Sequence, residues 1–370
     1  MEIPMSVEQY IDNYLKNYRN YKEYWNYEDG CVLIGARQLY EATGKKEYVT
    51  FIENYLKNLI KEDGTIDHYE LGKYNIDSIN CGKILFFMYD QTGEAKYREA
   101  IEFIMNQLRK HPRCKCGNFW HKQLYPNQIW LDGLYMAQPF YMAYETRYHN
   151  KSNYNDILEQ YRNVQKYLYQ EQKGLCYHAY DESREQFWAD KETGCSGNFW
   201  LRSMGWYLMS LVDVMDAMSK EIFEQYKELE GIFKTMIRGI LQYMDPETHL
   251  FYQVIDRSDV EGNYLETSGS AMVGYSIVKA CRKGILSKEK YAQTGIAIVE
   301  GIIRNKLVKV EGREELTGIC SVAGLGPDTS PHRDGSVAYY LSEKIVSDDS
   351  KGVGPFMMAY AQMLQLKKEL

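Results

Sequence analysis

Apolar positions along the chain recur at helical spacing nearly throughout, with few alternating runs and only 8 prolines to interrupt them. The pattern predicts an almost wholly α-helical protein. Two kinds of helix alternate. One is apolar around most of its circumference, as in CVLIGARQLY, CGKILFFMYD and LYMAQPFYMAY, and a helix without a polar face must be buried. The other is amphipathic, as in VEQYIDNYLKNY and FEQYKELEGIFKTMI, and is expected to cover the first kind with its apolar stripe.

The apolar kind repeats. CVLIGARQLYEATGKKEY and CGKILFFMYDQTGEAKY align without gaps through Tyr40 and Tyr89, and LYMAQPFYMAYETRYHNKSNY brings Tyr144 to the same place. Looser copies follow in WYLMSLVDVMDAM, AMVGYSIVKACRKG and GPFMMAYAQMLQL. A period of roughly 50 residues marks stacked helical hairpins. Six buried helices alternating with six half-exposed ones form either an open solenoid or a closed ring, and the lack of a polar capping repeat favours closure. The expected fold is all-α, an (α/α)6 barrel of six helical hairpins. No linker divides the chain, so residues 1–370 are expected to form one domain.

Polar residues gather just before each buried helix, in NYEDG, NIDSINCG, QIWLDGLYM, NFWLRSMGW, YLETSGSAM and SDDSKGVG. In a closed barrel these ends meet on one face, so Tyr27, Asp77, Asp132, Arg202, Trp206 and Thr267 are expected to converge on one cleft. Helix amino termini also favour an anionic ligand. For Asp77, Asp132 and Thr267 the competing reading is a plain N-cap. Asp132 is flanked by Trp130, Leu131, Leu134 and Tyr135, which are expected to desolvate its carboxyl and raise its pKa, as a general acid requires. Arg202 among indoles suits a clamp for a substrate carboxylate. Trp200 and Trp206 offer flat faces to pyranose rings or pack the core.

Composition adds three constraints. The 34 tyrosines suit a sugar-binding cleft or helix packing. A net charge of −7 without any basic run excludes a nucleic-acid or anionic-membrane partner, so an anionic ligand must be held by local cations. The amino terminus lacks the basic and apolar order of a secretory signal, no stretch approaches a membrane span, and the eight cysteines are scattered. A reducing cytoplasm is expected.

His111, Cys114, Cys116 and His121 spell H-x2-C-x-C-x4-H, but the C-x-C spacing is tighter than that of structural zinc, so no metal is expected. GVGPF and AGLGPD follow no strand and read as loops, leaving no sign of a nucleotide cofactor. His121, beside Lys122 in GNFWHKQLYPNQ, and His178 in LCYHAYDES lie in loop-like stretches, where a histidine satisfied at the surface is the alternative to a functional one.

Read together, WNYEDGCVLIGARQLYEATG, YNIDSINCGKIL, FWHKQLYPNQIWLDGLYMAQPF, CYHAYDES, GCSGNFWLRSMGWYLMSLVDVMD, YLETSGSAM and KGVGPFMMAYAQM resemble the unsaturated rhamnogalacturonyl hydrolases of glycoside hydrolase family 105, over nearly the whole chain. The resemblance implies an (α/α)6 barrel and a hydrolase that uses neither metal nor nucleotide. Its substrate would be a pectin-derived oligosaccharide ending in a 4,5-unsaturated uronic acid. It further implies Asp132 as general acid and base, with sugar contacts at Tyr27, Asp77, His121, Lys122, Met136, His178, Trp200, Arg202 and Trp206.

The implied chemistry is proton delivery to C4 of an enol ether, water addition at C5 and opening of the resulting hemiketal, for which one carboxyl group suffices. Four other readings stay open. They are the same reaction on ulvan or other lyase products, an inverting glycosidase using Asp132 and Asp77 on saturated glycosides, a sugar 2-epimerase leaning on the histidines, and a non-enzymatic α-solenoid scaffold. Monomer and homodimer are both compatible with the sequence. Residues 320–352 fall outside the resemblance and are expected to shape one wall of the cleft.

Overall fold

The computed structural model describes residues 6–370. Their helices are α1 (Val7–Lys16), α2 (Tyr27–Thr43), α3 (Glu47–Leu56), α4 (Lys83–Thr92), α5 (Ala95–Lys110), α6 (Leu131–Tyr148), α7 (Tyr154–Tyr167), α8 (Leu201–Ala217), α9 (Phe223–Ile240), α10 (Thr267–Arg282), α11 (Lys288–Lys306), α12 (Val337–Ser342) and α13 (Ser350–Glu369). The strands are short and form two-stranded antiparallel pairs between helices.

The apolar helices α2, α4, α6, α8, α10 and α13 pack in sequence order, and α13 returns to pack along α2. The ring is closed, and the expected (α/α)6 barrel is the fold. Helix α4 joins it through the 3-10 segment Ile76–Gly82, which sits between α2 and α6. The outer helices α3, α5, α7, α9 and α11 each pack on the inner helix that precedes them. The two patterns differ as their positions require. Helix α8 buries every residue from Leu201 to Val212, whereas α5 buries one stripe, including Tyr97, Ala100, Ile101, Ile104 and Leu108.

The closing seam corrects one expectation. GVGPF is not a loop but lies inside α13, where a Cβ at Gly354 would sit 2.6 Å from the Cys31 carbonyl carbon of α2. Gly35 answers from α2, where a Cβ would meet the Met357 side chain at 2.7 Å. Glycine is needed there for backbone approach, not for a turn. AGLGPD does fall in a stretch without regular structure.

Pro139 stands inside α6 and cannot donate to the carbonyl of Tyr135, one helical turn back. The Lys83 ammonium takes that place at 2.5 Å, and also donates to Asn80 Oδ1 at 2.8 Å. Burial pushes the Lys83 amine down to about 7. A Lys83→Met variant keeps the bulk but strands a buried carbonyl, so a loss of about 1–3 kcal/mol is expected. Urea unfolding measures it, and an unchanged midpoint would mean that the carbonyl needs no donor.

Many of the tyrosines serve this packing. Tyr18 and Tyr55 donate to the buried Asp29, which also accepts from the Tyr21 amide and Asn26 Nδ2. Tyr275 donates to Asp213 at 2.7 Å. All eight cysteines are unpaired thiols. Among the described residues no helix is long and apolar enough to cross a membrane.

Candidate active site

The amino-terminal ends of α2 and α6 and the 3-10 segment before α4 surround a cavity of about 260 Å³. Tyr27, Asp77, His121, Lys122, Asp132 and Met136 line it, as the cleft expectation requires. The other anticipated residues stand elsewhere. Trp200, Arg202 and Trp206 are at most 2% exposed and do not line the cavity. Trp206 stacks on Tyr135 at 4.9 Å, inside the barrel wall.

The reason is a later segment of chain that covers the starts of α8 and α10. Thr267 donates its amide to the Gly318 carbonyl at 2.9 Å and its hydroxyl to the Thr317 carbonyl at 2.6 Å. The Cys320 amide donates to Glu266, and the Cys320 carbonyl accepts from Arg202. Arg202 also donates to Ser268 Oγ at 2.8 Å and lies 3.7 Å from the Glu266 carboxylate. Its Nε and Nη2 groups, expected to clamp a substrate carboxylate, thus face partners inside the protein. Trp200 is likewise no open platform, because it packs on His178 and Tyr340.

None of the three suspected N-caps caps a helix. Asn75 caps the 3-10 segment, Glu266 caps α10, and the N-cap position of α6 is held by Trp130, which makes no side-chain cap. Asp77 and Asp132 are thus available for other work. Lys122 Nζ lies 2.6 Å from Asp77 Oδ2, and His121 Nε2 lies 3.5 Å from Oδ1. Burial alone would raise the Asp77 carboxyl, but Lys122 and His121 outweigh it and hold it below the usual carboxylate range. Burial pushes the His121 ring down to about 4, which leaves it neutral near pH 7. The ring stacks on Trp130 at 4.4 Å and 6°. Its approach is permitted by Gly133, where a Cβ would meet His121 Nδ1 at 3.1 Å.

Asp132 is placed by pairing. The strand Gln128–Trp130 runs antiparallel to Ala179–Asp181, so the Leu131 amide reaches the His178 carbonyl at 3.1 Å. That register sets His178 Nε2 3.4 Å from Asp132 Oδ2. The other ring nitrogen, Nδ1, lies 2.8 Å from the Tyr340 hydroxyl. His178 is fully buried, while the Asp132 side chain keeps 14% exposure towards the cavity. Of the residues expected to desolvate Asp132, Leu131, Leu134 and Tyr135 turn into the barrel core, and only Trp130 flanks the cavity.

Sequence reasoning missed Lys22, Tyr125, Trp130 as a lining ring, and the segment with Val322, Ala323, Gly324 and Arg333. For the last, the only signal was the expectation that residues 320–352 form a wall. His111, Cys114, Cys116 and His121 do not form a ligand set. His111 Nε2 lies 2.8 Å from the Trp120 carbonyl, and among the described residues no three His, Cys, Asp or Glu side chains are grouped to hold a metal ion.

The arrangement is one carboxyl group facing a cavity, backed by a buried imidazole, beside a second carboxylate neutralised by lysine. It can move a proton to and from a bound molecule. The model for Glycosyl Hydrolase Family 88 matches residues 5–367. A solved structure of a glycoside hydrolase from family 105 of C. acetobutylicum ATCC 824 superposes with a TM-score of 0.91 at 39% identity, over 97% of this chain and 99% of that one. Protein Atu3128 of Agrobacterium fabrum is 40% identical over 53% of this chain and 84% of its own length. The unsaturated rhamnogalacturonyl hydrolase YesR of Bacillus subtilis is 24% identical over 79% of this chain and 80% of its own. The chain belongs to Glycosyl Hydrolase Family 88, is a glycoside hydrolase, and stands beside the family 105 enzymes that its motifs resemble.

Proposed function

We propose that the protein removes the 4,5-unsaturated uronic acid from the non-reducing end of rhamnogalacturonan fragments left by pectin-degrading lyases. The observation that carries this reading is the inequality of the two cavity carboxylates. Asp77 is held ionised by Lys122 at 2.6 Å, whereas Asp132 Oδ2 makes no hydrogen bond among the described residues. A conventional inverting pair needs an available base as well as an acid. Asp77 in its ion pair makes a poor base, which favours a reaction served by one carboxyl group.

In that reaction Asp132 gives its proton to C4 of the enol ether, and positive charge develops at C5. Water adds at C5 and returns a proton to Asp132. The hemiketal then opens and releases the next sugar. His178, held by Tyr340, orients the Asp132 carboxyl from behind. Asp77 accepts from sugar hydroxyls while Lys122 and the neutral His121 fix its position. Tyr27 and Met136 line the ring site, and the edges of Trp130 and Tyr125, which stack on each other at 4.8 Å, close one side of it. The pectin assignment is supported by the likeness to YesR. A single catalytic domain is supported by the ring that runs to α13, and a cytoplasmic setting by eight unpaired thiols.

The test is loss of ultraviolet absorbance from the conjugated double bond in lyase digests of rhamnogalacturonan, ulvan and a glycosaminoglycan. Loss is expected with the rhamnogalacturonan digest. Loss only with one of the others would move the substrate class, and loss with none would overturn the reading.

A further inference from the structure

We infer that Arg333, on the irregular segment between the short strand Ile319–Cys320 and α12, is the residue that binds the carboxylate of the unsaturated uronate. The inference rests on the proposed reaction and adds its anion site. It starts from the charges lining the cavity. Lys22 is paired with Glu28 at 3.0 Å and Lys122 with Asp77 at 2.6 Å. Arg202, the cation first expected to clamp the substrate, faces Glu266 behind the wall. Arg333 also lines the cavity, and among the described residues its side chain has neither a hydrogen bond nor an ion pair. It is half-buried. A guanidinium that is partly removed from water with no anion beside it is unfavourable unless a ligand supplies one.

The charge count fits the ligand. With Asp132 in its proton-donating form, two neutral pairs and one arginine leave the cavity at +1, the complement of one uronate. The segment is also held firmly enough to present the group. Leu325 inserts into a small buried cluster with Tyr125, Trp130 and Trp188. The Gly326 amide donates to the Arg333 carbonyl at 2.9 Å, and the Gly324 amide donates to the Tyr339 hydroxyl at 2.9 Å. A Cβ at Gly324 would lie 3.4 Å from Arg333 Nη1 and 3.5 Å from the Trp130 ring. Arg333 and the Trp130 indole thus both border Gly324, whose missing side chain leaves the space beside them open.

The experiment compares an unsaturated galacturonyl-rhamnose disaccharide with its methyl ester, using wild type, Arg333→Gln and Arg333→Lys. The leaving sugar is neutral in both substrates, so the difference in charge between them lies in the uronate alone. Wild type should prefer the acid. Arg333→Gln should raise KM for the acid by about 10- to 100-fold, the range for one charge-assisted bond, while KM for the ester barely moves. Arg333→Lys should recover part of the preference, because it restores the charge without the fork. Circular dichroism confirms that the variants are folded. An Arg333→Gln enzyme that keeps the wild-type preference for the acid overturns the assignment, as does an equal loss on acid and ester. If wild type turns over neither compound, the proposed reaction itself fails, which is a separate result.

Discussion

Asp132→Asn should lower kcat on an unsaturated uronyl disaccharide by about 10²–10⁴-fold, towards the upper end because one group serves both proton transfers. Asparagine keeps the shape but can neither deliver the proton to C4 nor take one from water. The loss should not come from unfolding. The Asp132 side chain caps no backbone group, since Trp130 holds the N-cap position of α6 and no side chain caps it, and Oδ2 makes no hydrogen bond that the substitution would break. A thermal melt close to wild type is expected alongside the lost rate. Asp77→Asn should retain more activity, with the larger effect on KM, because it disturbs the Lys122 pair at 2.6 Å rather than the proton path. Near-normal turnover by Asp132→Asn together with a dead Asp77→Asn would transfer the acid role to the segment before α4.

The largest effect on stability should come from Glu266→Ala, at about 3–5 kcal/mol. Glu266 is fully buried and accepts from the Ser268 amide at 3.1 Å, the Ser268 hydroxyl at 2.7 Å, the Gly269 amide at 2.7 Å and the Cys320 amide at 3.0 Å. It also faces Arg202, which is 2% exposed. Alanine would uncap α10 and leave a buried guanidinium without its counter-charge. Glu266→Gln, which keeps volume and an acceptor, should lose less. Urea unfolding of the three proteins decides the matter, and a wild-type midpoint for Glu266→Ala would show that Arg202 does not depend on this carboxylate. Since the same carboxylate anchors Cys320, the alanine variant should also bind substrate more weakly through the loosened wall.

The barrel was legible because its cause is local and repeated. A helix apolar on every side must be buried, and six of them in register with Tyr40, Tyr89 and Tyr144 leave few arrangements. Asp132 and Asp77 were legible for the same reason, since helix starts on one side of a ring share one face. Arg202 and Thr267 satisfied the same rule but lie under residues 317–320, and nothing near α8 or α10 in the chain announces that cover; Trp206 instead turns into the barrel wall onto Tyr135. Arg202 meets the Cys320 carbonyl across 118 positions of sequence. GVGPF misled because glycine marks both turns and close helix contacts, and only the facing residue, Cys31, tells them apart. Arg333 had no local signature, being one polar residue in an irregular stretch.

The seam between α2 and α13 bears on how the protein is made. Its two sides are the first inner helix and the 20-residue α13, so the ring cannot close until α13 has been synthesised. A nascent chain short of α13 would display the apolar flanks of both α2 and α10, the two inner helices that α13 covers. Contacts this distant in sequence form slowly, and exposed apolar surface of that kind invites aggregation. Synthesis of this enzyme should accordingly depend on chaperones that shield the open ring, and truncation by even the final helix should yield insoluble protein rather than a weakened enzyme.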